Sequence, residues 1–211
     1  MAYLPAGILG PVSGRLGNLV FMIRDGKTYA RIRSRRKVAA STEKQAAQQR
    51  KFSLMMRFLQ PLTPLLKQLP RSSCPRMTTF NHLFSWNVRQ AITGSFPEFR
   101  IDYSKVLLSR GILPSAETMA ASPAPGKISL MWKDNSGGGM AKSSDRVFVA
   151  AYCEALDQWV WSLENTTRSA GLCSLDAAAV SGHSAQVYIG FLAAAGKPVS
   201  GSSYIGEVSL R

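Results

Sequence analysis

Between residues 27 and 37 the chain carries Lys27, Arg31, Arg33, Arg35, Arg36 and Lys37, with Tyr29 among them and no acid. Fixed positive charge at that density does one kind of chemistry well. It binds anions, above all nucleic-acid phosphates, by charge-assisted hydrogen bonds, and a nearby ring can stack on a base. In an extended strand side chains alternate faces, so Tyr29, Arg31, Arg33 and Arg35 share one face and Ala30, Ile32 and Ser34 the other. Successive arginines on that face stand about 6.6–6.8 Å apart, a spacing that can follow a phosphate backbone. A solvated edge strand guarded by charge against aggregation would use the same residues. A second set of cations, Lys44, Arg50, Lys51 and Arg57, follows in the next segment and completes the expected nucleic-acid-binding residues. Glu98, Asp102 and Asp157 are the acids that could neutralise some of these cations within the chain.

Other chemistry is poorly supplied. The glycines from Gly10 to Gly17 contain neither the Lys and hydroxyl of a phosphate-binding P-loop nor a GxGxxG fingerprint. "GRLG" matches the clamp of KH domains by letter, but it leads into a strand rather than joining two helices. His82 lies in an apolar helical pattern without a second His or Cys at ligand spacing. His183, within "SGHSAQ", has no nucleophile elbow and no identifiable acid partner. Asp134, Asn135 and Asp145 do not have the spacing of an EF-hand loop. Cys74, Cys153 and Cys173 are odd in number, far apart and without a CxxC pair, which fits reduced thiols and neither a disulfide framework nor a zinc site. No catalytic residue, cofactor or metal is expected, and the protein is read as not an enzyme.

Composition places the charge. With 211 residues and 45% hydrophobic side chains the chain can bury a substantial core. Residues 1–100 hold 17 Lys and Arg against 3 acids while residues 101–211 hold 9 of each, so the whole surplus of +14 sits in the first half. That asymmetry suits a polyanion-binding region joined to a neutral module. "MAYLPAGILGPVSGR" lacks the basic start and unbroken apolar run of a signal peptide. The longest apolar stretch, "VYIGFLAAAG", falls short of the ~20 residues of a membrane helix. No membrane contact is expected, and the expected location is the cytoplasm or a particle assembled there.

The elements that must position these residues are predicted as α+β. Residues 1–40 read as a glycine-rich β-hairpin arm, because Asp25-Gly26 between "NLVFMIR" and "KTYARIRS" is a strong turn signal. Residues 41–97 read as a helical segment. Thr42 and Gln45 make a capping box for a helix over about 42–60; Pro61 and Pro64 then kink it or start a short one. Lys51 falls near that helix's apolar side and must reach past it or meet a partner. A further helix starts at Thr78 or Thr79 and is ended by Gly94. Residues 98–211 read as an antiparallel β-sandwich of fibronectin/immunoglobulin-like kind, from "KISLMW", "RVFVAAYC", "QWVWSLE", "SAQVYIGFL" and "SSYIGEVSL".

The order of "GILGPVSGRLGN", "GKTYARIRS", "STEKQAAQQRKF", "MTTFN", "IDYSKVLLSRG" and "VYIGFLAAAGKPVSGSSYIG" resembles a family of basic proteins widespread in Bacteroidota, a domain of unknown function. The resemblance runs nearly the full length and implies no activity, cofactor or site residue. Members of the family it resembles often place a Trp before the Gly-Lys turn where this chain has Ile23, Arg24 and Asp25, a departure that bears on the hairpin's stacking surface. Two functions follow from the residues themselves. One is binding of nucleic acid or another polyanion through the N-terminal half with little sequence preference and, for six phosphates, a log-log salt slope of about −5. The alternative is a self-assembling structural subunit, of a filament or phage-like particle, a homo-oligomer whose N-terminal arm pairs with neighbouring chains.

Overall fold

A computed structural model describes residues 2–4, 12–33, 41–70 and 77–210, and divides the chain into two compact units, Met1–Thr42 and Glu43–Arg211. The first unit is a four-stranded antiparallel sheet of β1 (Ala2–Leu4), β2 (Gly14–Leu16), β3 (Leu19–Arg24) and β4 (Lys27–Ile32), in the order β1-β4-β3-β2. The chain reverses between β3 and β4 at Asp25 and Gly26, whose φ values of 51° and 73° are the left-handed pair that a two-residue hairpin turn requires.

The second unit mixes helices with mostly antiparallel sheets. It opens with α1 (Glu43–Leu59), a 3₁₀ turn over Gln60–Leu62, and α2 (Thr63–Gln68). Pro61 and Pro64 each sit in a first helical turn, where the missing N–H costs nothing, so the break becomes two restarts. α3 (Thr79–Gln90) is capped by the Thr78 hydroxyl, which accepts from Asn81 N at 3.2 Å. Gly94 does not end that helix. α3 stops at Gln90, the Ala91 N–H closes its last turn on Asn87 O, and Gly94 lies inside the next strand with φ +88°. There β5 (Ile92–Ser95) pairs with β6 (Glu98–Ile101). A Cβ on Gly94 would strike the Glu98 carbonyl across the ladder, so the glycine serves strand approach, not helix capping.

The remaining strands are β7 (Glu117–Ala124), β8 (Lys127–Lys133), β9 (Arg146–Cys153), β10 (Gln158–Thr167), β11 (Leu172–Asp176), β12 (Ser184–Leu192) and β13 (Ser203–Ser209). They form a four-stranded sheet, β10-β9-β12-β13, and a three-stranded sheet, β11-β8-β7. The alternation within β9 explains why it is apolar on both faces. Val147, Val149, Ala151 and Cys153 enter a core shared with Ile128, Leu130 and Trp132 of β8 and Leu175 of β11. Phe148, Ala150 and Tyr152 point the other way, into a core shared with Met55, Phe58 and Leu59 of α1, Leu66 of α2 and Leu83 of α3. The larger sheet is therefore covered on one face by helices and on the other by the smaller sheet, and the helical segment has no separate core.

Gly190 of β12 lies directly across the ladder from Phe148, whose ring occupies the space a Cβ would need. Gly190→Ala is expected to lower stability by about 1–3 kcal/mol through overpacking. Urea unfolding would read it, and adding Phe148→Leu should recover part of the loss; full stability in Gly190→Ala alone would contradict this packing.

Candidate polyanion-binding surface

Pairing within the N-terminal sheet assembles its cations. Along β4, Lys27, Tyr29 and Arg31 share a face, and Arg33 continues the ladder with its N–H on Asn18 O at 2.7 Å. Directly opposite residues share a face as well, so Arg24, Met22 and Val20 of β3 stand beside Lys27, Tyr29 and Arg31. Arg15 of β2 pairs with Val20 in turn, which puts Arg15 and Arg31 on either side of it, about 10 Å apart. One face thus gathers Arg15, Arg24, Lys27, Arg31 and Arg33, all exposed. Asp25 is the one acid in residues 1–42. It stands 3.8 Å from Arg24 Nε with both side chains open to solvent, where water screens the pair. Arg15 Nε also donates to Gly17 O at 3.1 Å, which steadies its stem.

Arg35, Arg36 and Lys37 lie outside the described residues. The helix cations divide into two groups. Lys44 and Arg50 occupy exposed positions of α1. Lys51 is half-buried, its ammonium 4.8 Å from the centre of the Phe99 ring, a cation–π contact that accounts for a lysine near the apolar side. Arg57 is ion-paired with Asp157 Oδ2, and the other oxygen of that carboxylate accepts from the Tyr152 hydroxyl at 2.7 Å. Two of the four expected helix contacts are therefore engaged within their own unit. Asp102 is taken too, by Lys105 at 2.7 Å and by Ser104, and these partners hold its carboxyl below the ordinary carboxylate range.

A cavity of about 400 Å³ lies among α1, β6 and the β9–β10 turn, walled by Phe58, Tyr103 and Tyr152 with Arg100, Glu154 and Asp157 at its rim. Burial first, then the neighbouring carboxylates, push both phenols up from their ordinary value, Tyr103 beside Glu154 and Tyr152 on Asp157. Both therefore stay protonated near neutral pH and act as hydrogen-bond donors. His82 is half-buried in α3 and His183 is exposed in the turn before β12. Cys153 and Cys173 are buried in one apolar core, while Cys74 lies outside the described residues. Among the described residues no three His, Cys, Asp or Glu side chains converge as a metal site, and no helix is long and apolar enough to cross a membrane.

A protein-family profile matches residues 11–206. The chain belongs to DUF6266, a family of unknown function. No curated protein matches it. Membership in DUF6266 thus establishes kinship over most of the chain, and the residues themselves must supply the functional argument. Within this DUF6266 chain, strand alternation alone identified the β4 cations; Arg15 and Arg24 escaped because they join the face only through pairing. A signal for Arg24 was available, since the residue before a two-residue Asp-Gly turn must stand opposite the residue after it, here Lys27.

Proposed function

We propose that this protein is a non-enzymatic binder of nucleic-acid phosphates, or of another polyanion, acting in the cytoplasm through the cationic face of its N-terminal sheet. In this reading the first forty residues are an arm carried by a body of fibronectin/immunoglobulin-like sandwich kind. One observation carries it: the register gathers Arg15, Arg24, Lys27, Arg31 and Arg33 on one face with a single acid, Asp25, at the turn. Same-face residues along β4 repeat every 6.6–6.8 Å or so, close to two 3.4 Å rises of a nucleic-acid strand. Strand-borne arginines facing phosphates read charge and not base edges, so sequence preference is weak. In the second unit, Lys44 and Arg50 are the exposed cations of α1 that could add phosphate contacts of their own, while Lys51 and Arg57 contribute less because Phe99 and Asp157 already hold them.

The test is binding of nuclease-treated protein to labelled single- and double-stranded DNA and RNA over a range of salt. Five phosphate contacts predict a log-log slope of about −4.5 on duplex DNA, and changing Arg15, Arg31 and Arg33 together to Ala should shrink it by about 3. A slope near zero, or one that the triple variant leaves unchanged, would remove this reading. A second reading, a self-assembling structural subunit, draws support from the opposite face of the same sheet, where the register aligns the exposed side chains of Leu16, Leu19 and Ile32.

A further inference from the structure

The cavity among α1, β6 and the β9–β10 turn belongs wholly to the second unit and has no part in the phosphate-binding reading. Its volume of about 400 Å³ falls in the range of small-molecule sites. The floor is made of rings that brace one another, with Tyr103 centred 6.0 Å from Phe58 and 5.7 Å from Tyr152. Interlocked rings do not collapse into the space beside them, so the hollow is preformed. Four charges stand at the rim. Arg57 and Asp157 pair with each other and tie α1 to the turn, which fixes the shape of the mouth. Arg100 of β6 and Glu154 of the turn behave differently. Both are exposed, and neither has an ion-pair partner among the described residues, although they carry opposite charges at one mouth. The charges left over are therefore one cation and one anion that do not meet.

We propose that this cavity binds a small zwitterion, a free α-amino acid with an apolar side chain, its carboxylate on Arg100, its ammonium on Glu154 and its side chain against Tyr103 and Ile101. Charge decides the ligand class. A plain anion would reach Arg100 but lie beside Glu154 and Asp157, and a plain cation would reach Glu154 but lie beside Arg57 and Arg100. A neutral apolar molecule would strip water from the rim charges and return no hydrogen bond. A ligand with both signs pairs each leftover charge, and the guanidinium fork of Arg100 matches a carboxylate in particular. Glu154 is steadied for its part by the Tyr103 hydroxyl beside it. The rings below then take the apolar part of the ligand, and an ammonium near their faces gains the kind of contact that Lys51 already makes with Phe99.

Amide NMR titration of the nuclease-treated full chain with L-phenylalanine and L-leucine tests it, since ligands of this size bind with a Kd of about 10 µM to 1 mM. Shifts should gather on β6 and the β9–β10 turn. N-acetylphenylalanine, which lacks the ammonium, and phenylalaninamide, which lacks the carboxylate, should each bind about tenfold more weakly than phenylalanine, the loss expected for one charge-assisted hydrogen bond. Arg100→Gln should weaken phenylalanine about tenfold and leave phenylalaninamide unchanged, while Glu154→Gln should weaken phenylalanine and leave N-acetylphenylalanine unchanged. Both side chains are exposed, so both variants should melt within about 2 °C of the parent. That crossed pattern separates direct pairing from a general disturbance of the cavity. No shift at the cavity with either amino acid up to about 10 mM, equal affinity for the three forms of phenylalanine, or variants that bind phenylalanine as the parent does would each overturn the proposal and leave the salt slope of the N-terminal sheet untouched.

Discussion

Replacing Arg168 with alanine is expected to cost about 3–5 kcal/mol of stability, read as a drop in the urea midpoint at unchanged slope. The Arg168 side chain is fully buried, and each part of its guanidinium has a partner. Nε donates to Asp145 Oδ2 at 3.1 Å, Nη1 to Asn135 Oδ1 and Nη2 to the Pro114 carbonyl at 3.0 Å, while the plane lies 3.8 Å from the Phe191 ring centre. The backbone is tied as well, with Arg168 N on Asp145 O and Trp132 Nε1 on Arg168 O. Burial pushes the Arg168 pKa down, and the Asp145 carboxylate opposes that shift. Alanine would leave Asp145 buried with its charge uncompensated, which is why removing one partner costs more than the pair contributes. Lysine would not rescue it, since a point charge cannot serve three acceptors set in a fork. A double-mutant cycle separates the cause: Arg168→Ala with Asp145→Ala should cost clearly less than the sum of the two single changes. Strict additivity would mean that the loss comes from the contacts with Phe191, Asn135 and Pro114 and not from the ion pair.

Phe58→Ala is expected to cost a similar amount, about 3–5 kcal/mol, or roughly 10 °C in melting temperature for a unit of this size. Phe58 lies where α1 meets the larger sheet, its ring centre 4.7 Å from Tyr152, 5.0 Å from Trp159 and 6.0 Å from Tyr103. Its carbonyl accepts from Trp159 Nε1 at 2.7 Å, so the strand is anchored to the backbone of the helix as well as to the side chain. Loss of the ring would open a void walled by rigid aromatics that cannot collapse into it, and the cavity term then adds to the transfer term. Phe58→Leu should recover at least half. A Phe58→Ala protein that melts within about 2 °C of the parent would mean that helices and sheet do not share this core.

Features that depend on neighbours along the chain were legible in the sequence. Helix formers after Thr42 produced α1, Pro61 and Pro64 produced its restarts, and Asp25-Gly26 produced the β3–β4 turn. The alternation of Ile128, Leu130 and Trp132 marked the buried face of β8. β7 and β11 escaped notice. β7 is made of small residues with Pro123, β11 is five residues long, and both are held by pairing with β8 more than by their own propensity. The doubly apolar β9 announced burial on two sides without saying what lay there, because a hydrophobic pattern records that water is absent and not which element excludes it.

The candidate surface divides along the same line. The charge surplus of the first half is a property of composition, the alternation of Lys27, Arg31 and Arg33 is a property of one strand, and the sequence by itself determined both. That Arg15 and Arg24 join that face, and that Leu16, Leu19 and Ile32 align on the other, was decided by register, which exists only between strands. That Asp157 holds Arg57 across 100 residues, and that Arg168 is buried beside Asp145, was decided by tertiary packing. A cation's charge is set by its side chain, but the counter-charge it meets and the water it keeps are set by whatever the fold brings within a few ångströms.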